Sequence, residues 1–386
     1  MLSFITLLSL VGSGLAVRPF LGSADTGIEL ALGSTANDSL PDLKNIVGLP
    51  DFEWVAERYL NATRWSFFRT GAGGEWSYRN NLESYGRLRF RPRVLTDITR
   101  VEASLNTTLF GHTFSAPFFM SPFGRAEFSH PDAELNLVRG AAEENILYIA
   151  SMHASKTLDE ISAAKAPGQV TGHQFYNEGT DADTLAYFKQ VEAAGGKAIF
   201  FTVDSAGDGN RHRAARWNVT SVDSGYTYAT WDYYKHLGNL TSLPIIPKGI
   251  QTVEDAKLAV AAGAPGIFIS NHGGRQLDFV PSALEVALEI YEEAPEIFQQ
   301  IEVYADGGVR YGSDVLKLMA LGVKAVGAAR PLAFANLYGV EGIKKALQLV
   351  KHEIAIDAAN MGLGDVHQIN ASYIKLNNPT WNGWYS

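Results

Sequence analysis

The chain contains no cysteine. That absence removes disulfides, thiolate metal sites and a cysteine nucleophile, and it leaves the redox compartment unreadable from thiols. Positive charge is also scarce. Thirty-two Lys and Arg face 41 Asp and Glu, for a net charge of −9. No basic run offsets this, so nucleic acid is not an expected partner. Charged residues make up only 19% of the chain and hydrophobic residues 46%, a balance that excludes a disordered protein. No low-complexity tract stands out, and no metal site is expected. At 386 residues the chain can hold one large or two ordinary domains.

Long apolar runs are lacking too. The stretch from Leu2 to Leu15 is uncharged but short for a membrane span. Gly14 and Ala16 are small residues at the spacing a signal peptidase accepts, so residues 1–16 read as a cleaved secretory signal. An uncleaved anchor is the alternative; after cleavage no stable span is expected. Six sequons begin at Asn37, Asn61, Asn106, Asn218, Asn239 and Asn370. Beside a signal-like start they predict a glycoprotein that is secreted or held in the secretory-pathway lumen.

What is present is a repeating pattern. Residues 17–50 lack periodicity and read as a flexible lead-in, and Asp51 to Phe68 has helical spacing. Eight short apolar runs follow: Phe118–Ser121, Leu147–Ser151, Val170–Tyr176, Ala198–Asp204, Pro244–Lys248, Gly266–Asn271, Glu302–Asp306 and Ala325–Gly327. Amphipathic segments lie between most of them. Short apolar strands alternating with helices imply parallel βαβ units. Eight units predict an α/β fold, a (β/α)8 TIM barrel over 51–375 that includes an N-terminal helical extension, followed by a tail over 376–386. Functional residues of such barrels sit at the C-terminal ends of the strands.

Those ends carry chemistry. Ser270-Asn271-His272-Gly273-Gly274-Arg275 places a proton acceptor and a planar cation on one glycine-rich turn. A base beside a fork that grips a carboxylate is what oxidation of a 2-hydroxy acid needs. Asp306-Gly307-Gly308-Val309-Arg310 and Ala329-Arg330 follow the last two strands. Small residues that expose backbone N–H groups, with arginines beside them, predict a phosphate site. About forty residues separate Asp204 from Pro244, too many for an ordinary βα turn. They read as a lid bearing Arg211, His212 and Arg213.

On these two blocks the chain resembles the FMN-dependent 2-hydroxy-acid oxidases and dehydrogenases, from about Leu43 to about Lys375. The resemblance implies FMN as cofactor and a small hydroxy acid as substrate. It implies that His272 takes the substrate proton, that Asp204 orients His272, and that Tyr176 bonds the reacting oxygen. Arg275 and Arg211 would hold the carboxylate. Lys248 would offset charge on the flavin pyrimidine. Pro122, Phe123, Gly124, Ser151, Gln174, Thr202 and Ser270 would contact the flavin. Two positions depart from the family. Trp65 is aligned with a tyrosine that contacts the substrate carboxylate, and His153 stands where many members have tryptophan. A substrate larger than glycolate is therefore expected. No haem-binding segment precedes the barrel in this sequence, so O2 is the expected acceptor, giving hydrogen peroxide; a homo-oligomer is compatible with all of this. The alternatives are a barrel using reduced FMN for a non-redox isomerisation, a biosynthetic oxidase of a related alcohol, and a flavin-free scaffold. Need for a pre-reduced cofactor would mark the first of these; a colourless protein would mark the last.

Overall fold

The apolar runs assemble by parallel pairing into a closed ring. The structure, a computed structural model, describes residues 26–33, 39–219 and 226–375. The strands are β1 (Phe118–Met120), β2 (Leu147–Ala150), β3 (Thr171–Phe175), β4 (Ala198–Thr202), β5 (Ile245–Ile250), β6 (Gly266–Ile269), β7 (Glu302–Asp306) and β8 (Ala325–Ala328). Each pairs with its successor, and β8 closes on β1 with Val326 opposite Phe118. This is a (β/α)8 barrel. The eight predicted runs are its eight strands, displaced by at most a few residues.

Both faces of each strand are covered, so the runs are apolar throughout rather than alternating. Inward-facing Phe119, Phe200, Phe268 and Tyr304 fill the barrel interior, meeting edge to face at 5.2–6.5 Å. A hairpin, Thr107–Leu109 with His112–Phe114, closes the N-terminal end; its Leu109 and Phe114 join the same cluster. Several helices start on capping boxes, Thr157 with Glu160, Thr180 with Asp183 and Ser282 with Glu285, which satisfy the first free N–H groups.

The extension is less simple than its periodicity suggests. One helix over 51–68 was expected; two form, α1 (Leu49–Tyr59) and α2 (Ala62–Arg69). Asn61 breaks the run because its side chain accepts from Arg64 N and starts a new helix. A third helix, α3 (Trp76–Arg87), completes the extension. The lead-in also differs from expectation. Over 26–33 and 39–50 it is packed, with Ile28, Ile46 and Leu49 buried. Asp51 is the reason: its carboxylate accepts from Val47 N at 2.8 Å and Gly48 N at 3.2 Å and bonds the Thr26 hydroxyl. The expected signal, the tail and Asn37 lie outside the described residues.

Two features position the site. Between β5 and β6 the register shifts at Lys248 and Ile250. The residue between them, Gly249, has φ 114°, and a Cβ there would lie 2.5 Å from that of Asp204. This bulge brings Lys248 and Asp204 together at adjacent strand ends. At the end of β7, Gly308 has φ 79°, and a Cβ would lie 1.9 Å from the Asn81 carbonyl of α3. Only glycine lets the phosphate-type loop pass so close to the extension.

Behind that loop, α4 (Gly312–Ala320) begins on the carboxylate of Glu353, which accepts from Gly312 N at 2.7 Å. Burial, with Asp357 and Asp314 adding like charge, pushes Glu353 up from 4.5 to about 7. Between those two values the folded chain keeps a proton that the unfolded chain has lost, so stability falls as pH rises from 4.5 to 7. Glu353→Gln should flatten this slope, which is worth up to roughly 3 kcal/mol in the parent. Denaturant midpoints at pH 5 and pH 8 check it; equal slopes in both proteins would reject it.

Candidate active site

One cavity at the C-terminal end of the barrel gathers most of the sequence-selected residues. Its lining includes Pro122, Phe123 and Gly124 after β1, Ser151 and His153 after β2, Gln174 on β3 with Tyr176 just past its end, and Thr202 on β4. Arg211, Lys248, His272, Arg275, the loop from Asp306 to Arg310, and Ala329 with Arg330 complete it. The amide of Gln174 is fixed, accepting from Met152 N at 3.0 Å and donating to Thr202 Oγ1 at 3.0 Å.

At its centre, His272 Nδ1 donates to Asp204 Oδ1 at 3.0 Å. The Asp204 side chain is fully buried. Burial acts to raise its carboxyl, but the charges of His272 and Lys248 outweigh this and hold it below the usual carboxylate range. An ionised carboxylate only accepts, so the proton sits on Nδ1 and Nε2 is left as the basic nitrogen. Tyr176 Oη lies 3.4 Å from that Nε2. The base is presented on strained backbone, with His272 at φ 58° and Gly273 and Gly274 also left-handed.

Ser270 does not line the cavity; it supports it. Its Oγ donates to Asp306 Oδ1 at 2.6 Å, and accepts from His272 N at 3.1 Å and Lys248 Nζ at 3.4 Å. Lys248 is buried with no shorter bond. The Arg275 fork is set by the Phe67 carbonyl, 2.8 Å from Nη1. Arg211 donates from Nε to the Arg275 carbonyl at 2.9 Å and bonds Gln276 Oε1 through Nη2. The lid and the histidine loop are thus tied together.

Ser270 and Trp65 are the two placements that differ from the sequence reading. Trp65 does not line this cavity. It packs on Phe334 at 5.5 Å and lines a neighbouring cavity with Trp54 and Tyr78. Helical rotation of α2 instead turns Phe67 and Phe68 to the site. Arg330 has its guanidinium on the carbonyls of Phe68, Thr70 and Gly273, at 2.9–3.0 Å, and stacks on Tyr78. Arg310 pairs with Glu53, Nε to Oε2 at 3.0 Å, while its backbone N binds Asp314. Burial first, then Arg310 and Arg69 nearby, press Arg330 down to about 10. Such crowded positive charge calls for an anion. Together with Lys248, it suits a flavin mononucleotide, whose phosphate Arg310 and Arg330 would hold and whose pyrimidine charge Lys248 would offset.

Several contributors were not legible in sequence. Asn81 of α3 and Asn271 exchange reciprocal amide bonds at 2.7 and 2.8 Å across 190 positions. Glu75, held at φ 61°, accepts from Arg213 Nε and Nη2 at 2.9 and 3.0 Å and from Gly71 N at 3.0 Å. No local motif marks either residue, because the partners meet only after folding.

Glu75 clamps the lid helix His212–Arg216 to the extension. Burial would raise its carboxyl, but Arg213, Gly71 N and Arg69 together bring it down from 4.5 to about 2. Its stabilisation is complete above 4.5 and is lost as pH falls toward 2. Glu75→Gln should cost about 1–3 kcal/mol at neutral pH, since Arg213 is half exposed. Unfolding midpoints should converge with the parent in acid. A deficit that persists undiminished at pH 2–3 would show that the charge is not what clamps the lid.

Comparison with known proteins agrees with this geometry. Residues 56–229 and 220–376 match the family described as FMN-dependent dehydrogenase. An L-lactate dehydrogenase (cytochrome) of Wickerhamomyces anomalus is 33% identical over 356 residues, covering 85% of this chain. The chain spans only 61% of that relative's length. A 2-hydroxyacid oxidase 2 of Bos taurus is 34% identical over 354 residues, 86% of this chain and 99% of its own. A flavocytochrome b2 double mutant with pyruvate bound superposes with a TM-score of 0.83 at 34% identity, over 88% of each chain. With His272, Asp204, Lys248 and the arginine-rich loops standing at the strand ends of such a barrel, the chain belongs to the FMN-dependent dehydrogenase family.

Proposed function

We propose that this protein oxidises a 2-hydroxy acid larger than glycolate to the 2-oxo acid, with O2 as acceptor. The observation that carries this reading is His272, its Nδ1 on Asp204 and its Nε2 facing Tyr176, in one cavity with Arg211, Arg275 and Lys248. Arg275 and Arg211 bind the substrate carboxylate, bidentate geometry setting its orientation. Tyr176 donates to the reacting oxygen. His272 Nε2 receives a proton, and Asp204 stabilises the imidazolium that results. FMN, when bound, would supply the acceptor for the two electrons and the second proton of the substrate carbinol. Lys248 places a cation where negative charge then accumulates. Phe67, Phe68 and Phe123 give the cavity an apolar lining that disfavours water. The pyruvate in the flavocytochrome b2 complex is a 2-oxo acid, the product class proposed. The oxidase that matches this chain over 99% of its own length supports O2 as acceptor.

We further propose a secreted or lumenal glycoprotein. The support is the signal-like start and the exposure of all five described sequon asparagines, Asn61, Asn106, Asn218, Asn239 and Asn370. Among the described residues no helix is long and apolar enough to cross a membrane.

Two measurements test these proposals. Anaerobic addition of a 2-hydroxy-acid panel should bleach the flavin spectrum, and readmitted O2 should restore it with hydrogen peroxide released. His272→Ala should keep FMN yet reduce it about 100- to 10,000-fold more slowly; reduction at the parental rate would reject the assigned base. Protein recovered from a eukaryotic secretory host should start near Val17 and lose mass on N-glycan removal, whereas a cytosolic product with intact Met1 and no glycan would reject the secretory reading.

A further inference from the structure

His153 is a polar member of the cavity lining that the carboxylate clamp, the proton transfer and the expected flavin contacts all leave without a role. Its Nε2 lies 2.8 Å from Glu178 Oε1. Its backbone N donates to Ser151 Oγ at 3.1 Å, and a Cβ on Gly124 would come within 2.8 Å of its carbonyl oxygen. The ring stands 5.1 Å from that of Tyr176, tilted by 36°. Main chain and one ring nitrogen are thus anchored. Nδ1 has no hydrogen-bond partner among the described residues, and the residue borders the cavity beside the reacting group.

We infer that His153, held by Glu178, selects the substrate's side chain, and that the substrate is a 2-hydroxy acid bearing a second hydroxyl, a hydrogen-bond donor, on that side chain. This rests on the oxidation proposed above. The physical argument is one of unpaired groups. Phe67, Phe68 and Phe123 supply apolar wall, and Arg211 and Arg275 are committed to the carboxylate. A substrate that fills the cavity displaces water from His153. Glu178 accepts from Nε2, which leaves Nδ1 an acceptor; an all-carbon side chain then leaves that nitrogen unpaired at a cost, whereas a hydroxyl donates to it. Sites built this way reject the analogue that lacks the partner more strongly than an apolar pocket rejects an extra hydroxyl. Glu178 contributes by fixing which nitrogen faces the ligand, as a carboxylate does behind any oriented imidazole.

The test uses the flavin-loaded full chain and an isosteric pair, 2,4-dihydroxypentanoate and 2-hydroxy-4-methylpentanoate. The parent should favour the dihydroxy compound by about tenfold in kcat/KM, the worth of one hydrogen bond. His153→Phe should bring the ratio to one or below, and Glu178→Gln should lower it part of the way. Dissociation constants of the corresponding products, 4-hydroxy-2-oxopentanoate and 4-methyl-2-oxopentanoate, measured by equilibrium titration of the oxidised protein, should show the same order. A parent ratio near one, or a ratio that survives His153→Phe in both assays, would overturn the inference. If no 2-hydroxy acid bleaches the flavin, the proposed oxidation falls instead, and the product affinities still decide the role of His153.

Discussion

The hydrogen bond between Asp204 and His272 is the contact on which the rest of the site depends. It joins the ends of β4 and β6, which are not neighbours in the ring. To form it, the intervening β5 bulges at Gly249, where a side chain would collide with Asp204. His272 must also adopt a left-handed backbone, an arrangement that costs on the order of 1 kcal/mol and persists because neighbours impose it. Ser270 is one such neighbour, bonding the His272 amide, Lys248 and Asp306 through a single hydroxyl. His272, Asp204, Lys248 and the β7 carboxylate Asp306 are therefore one mechanical unit.

The extension and the lid press on that unit from outside. Asn81 grips Asn271, Glu75 grips Arg213, and the backbone of Phe67 to Thr70 receives the guanidinium groups of Arg275 and Arg330. Three arginines near the end of β7 and β8 would repel one another in isolation. Glu53 offsets part of that charge: burial opposes its ionisation, yet Arg310, Arg69 and Arg330 keep its carboxyl below the usual range. The remaining excess suits a phosphate dianion.

The barrel was legible because its signals are local. Strands buried on both faces must be apolar runs, and helices between them must be amphipathic, so alternation alone implied the architecture. The histidine and phosphate-type loops were legible for a related reason: glycines crowded beside charged residues rarely serve packing alone. The α2 helix shows where this reading stops. Trp65 and Phe67 are two residues apart, and only the helix's rotation against Phe334 decides that the phenylalanine, not the tryptophan, meets the cavity. The lead-in looked loose because its few apolar residues have no period of their own; they are buried by partners supplied by α1.

By itself, the sequence determined the eightfold alternation, the chemistry carried at each strand end and the family to which the chain belongs. These follow from residue type and short-range order, which persist in the unfolded chain. Tertiary structure alone decided which groups touch. It set the proton on His272 Nδ1 by bringing Asp204 across 68 positions. It turned Arg330 onto backbone carbonyls, and it set Glu178 behind His153. A hydrogen bond or a displaced charge requires approach within a few ångströms, and for residues far apart in sequence only the closed barrel and its packed extension supply that approach.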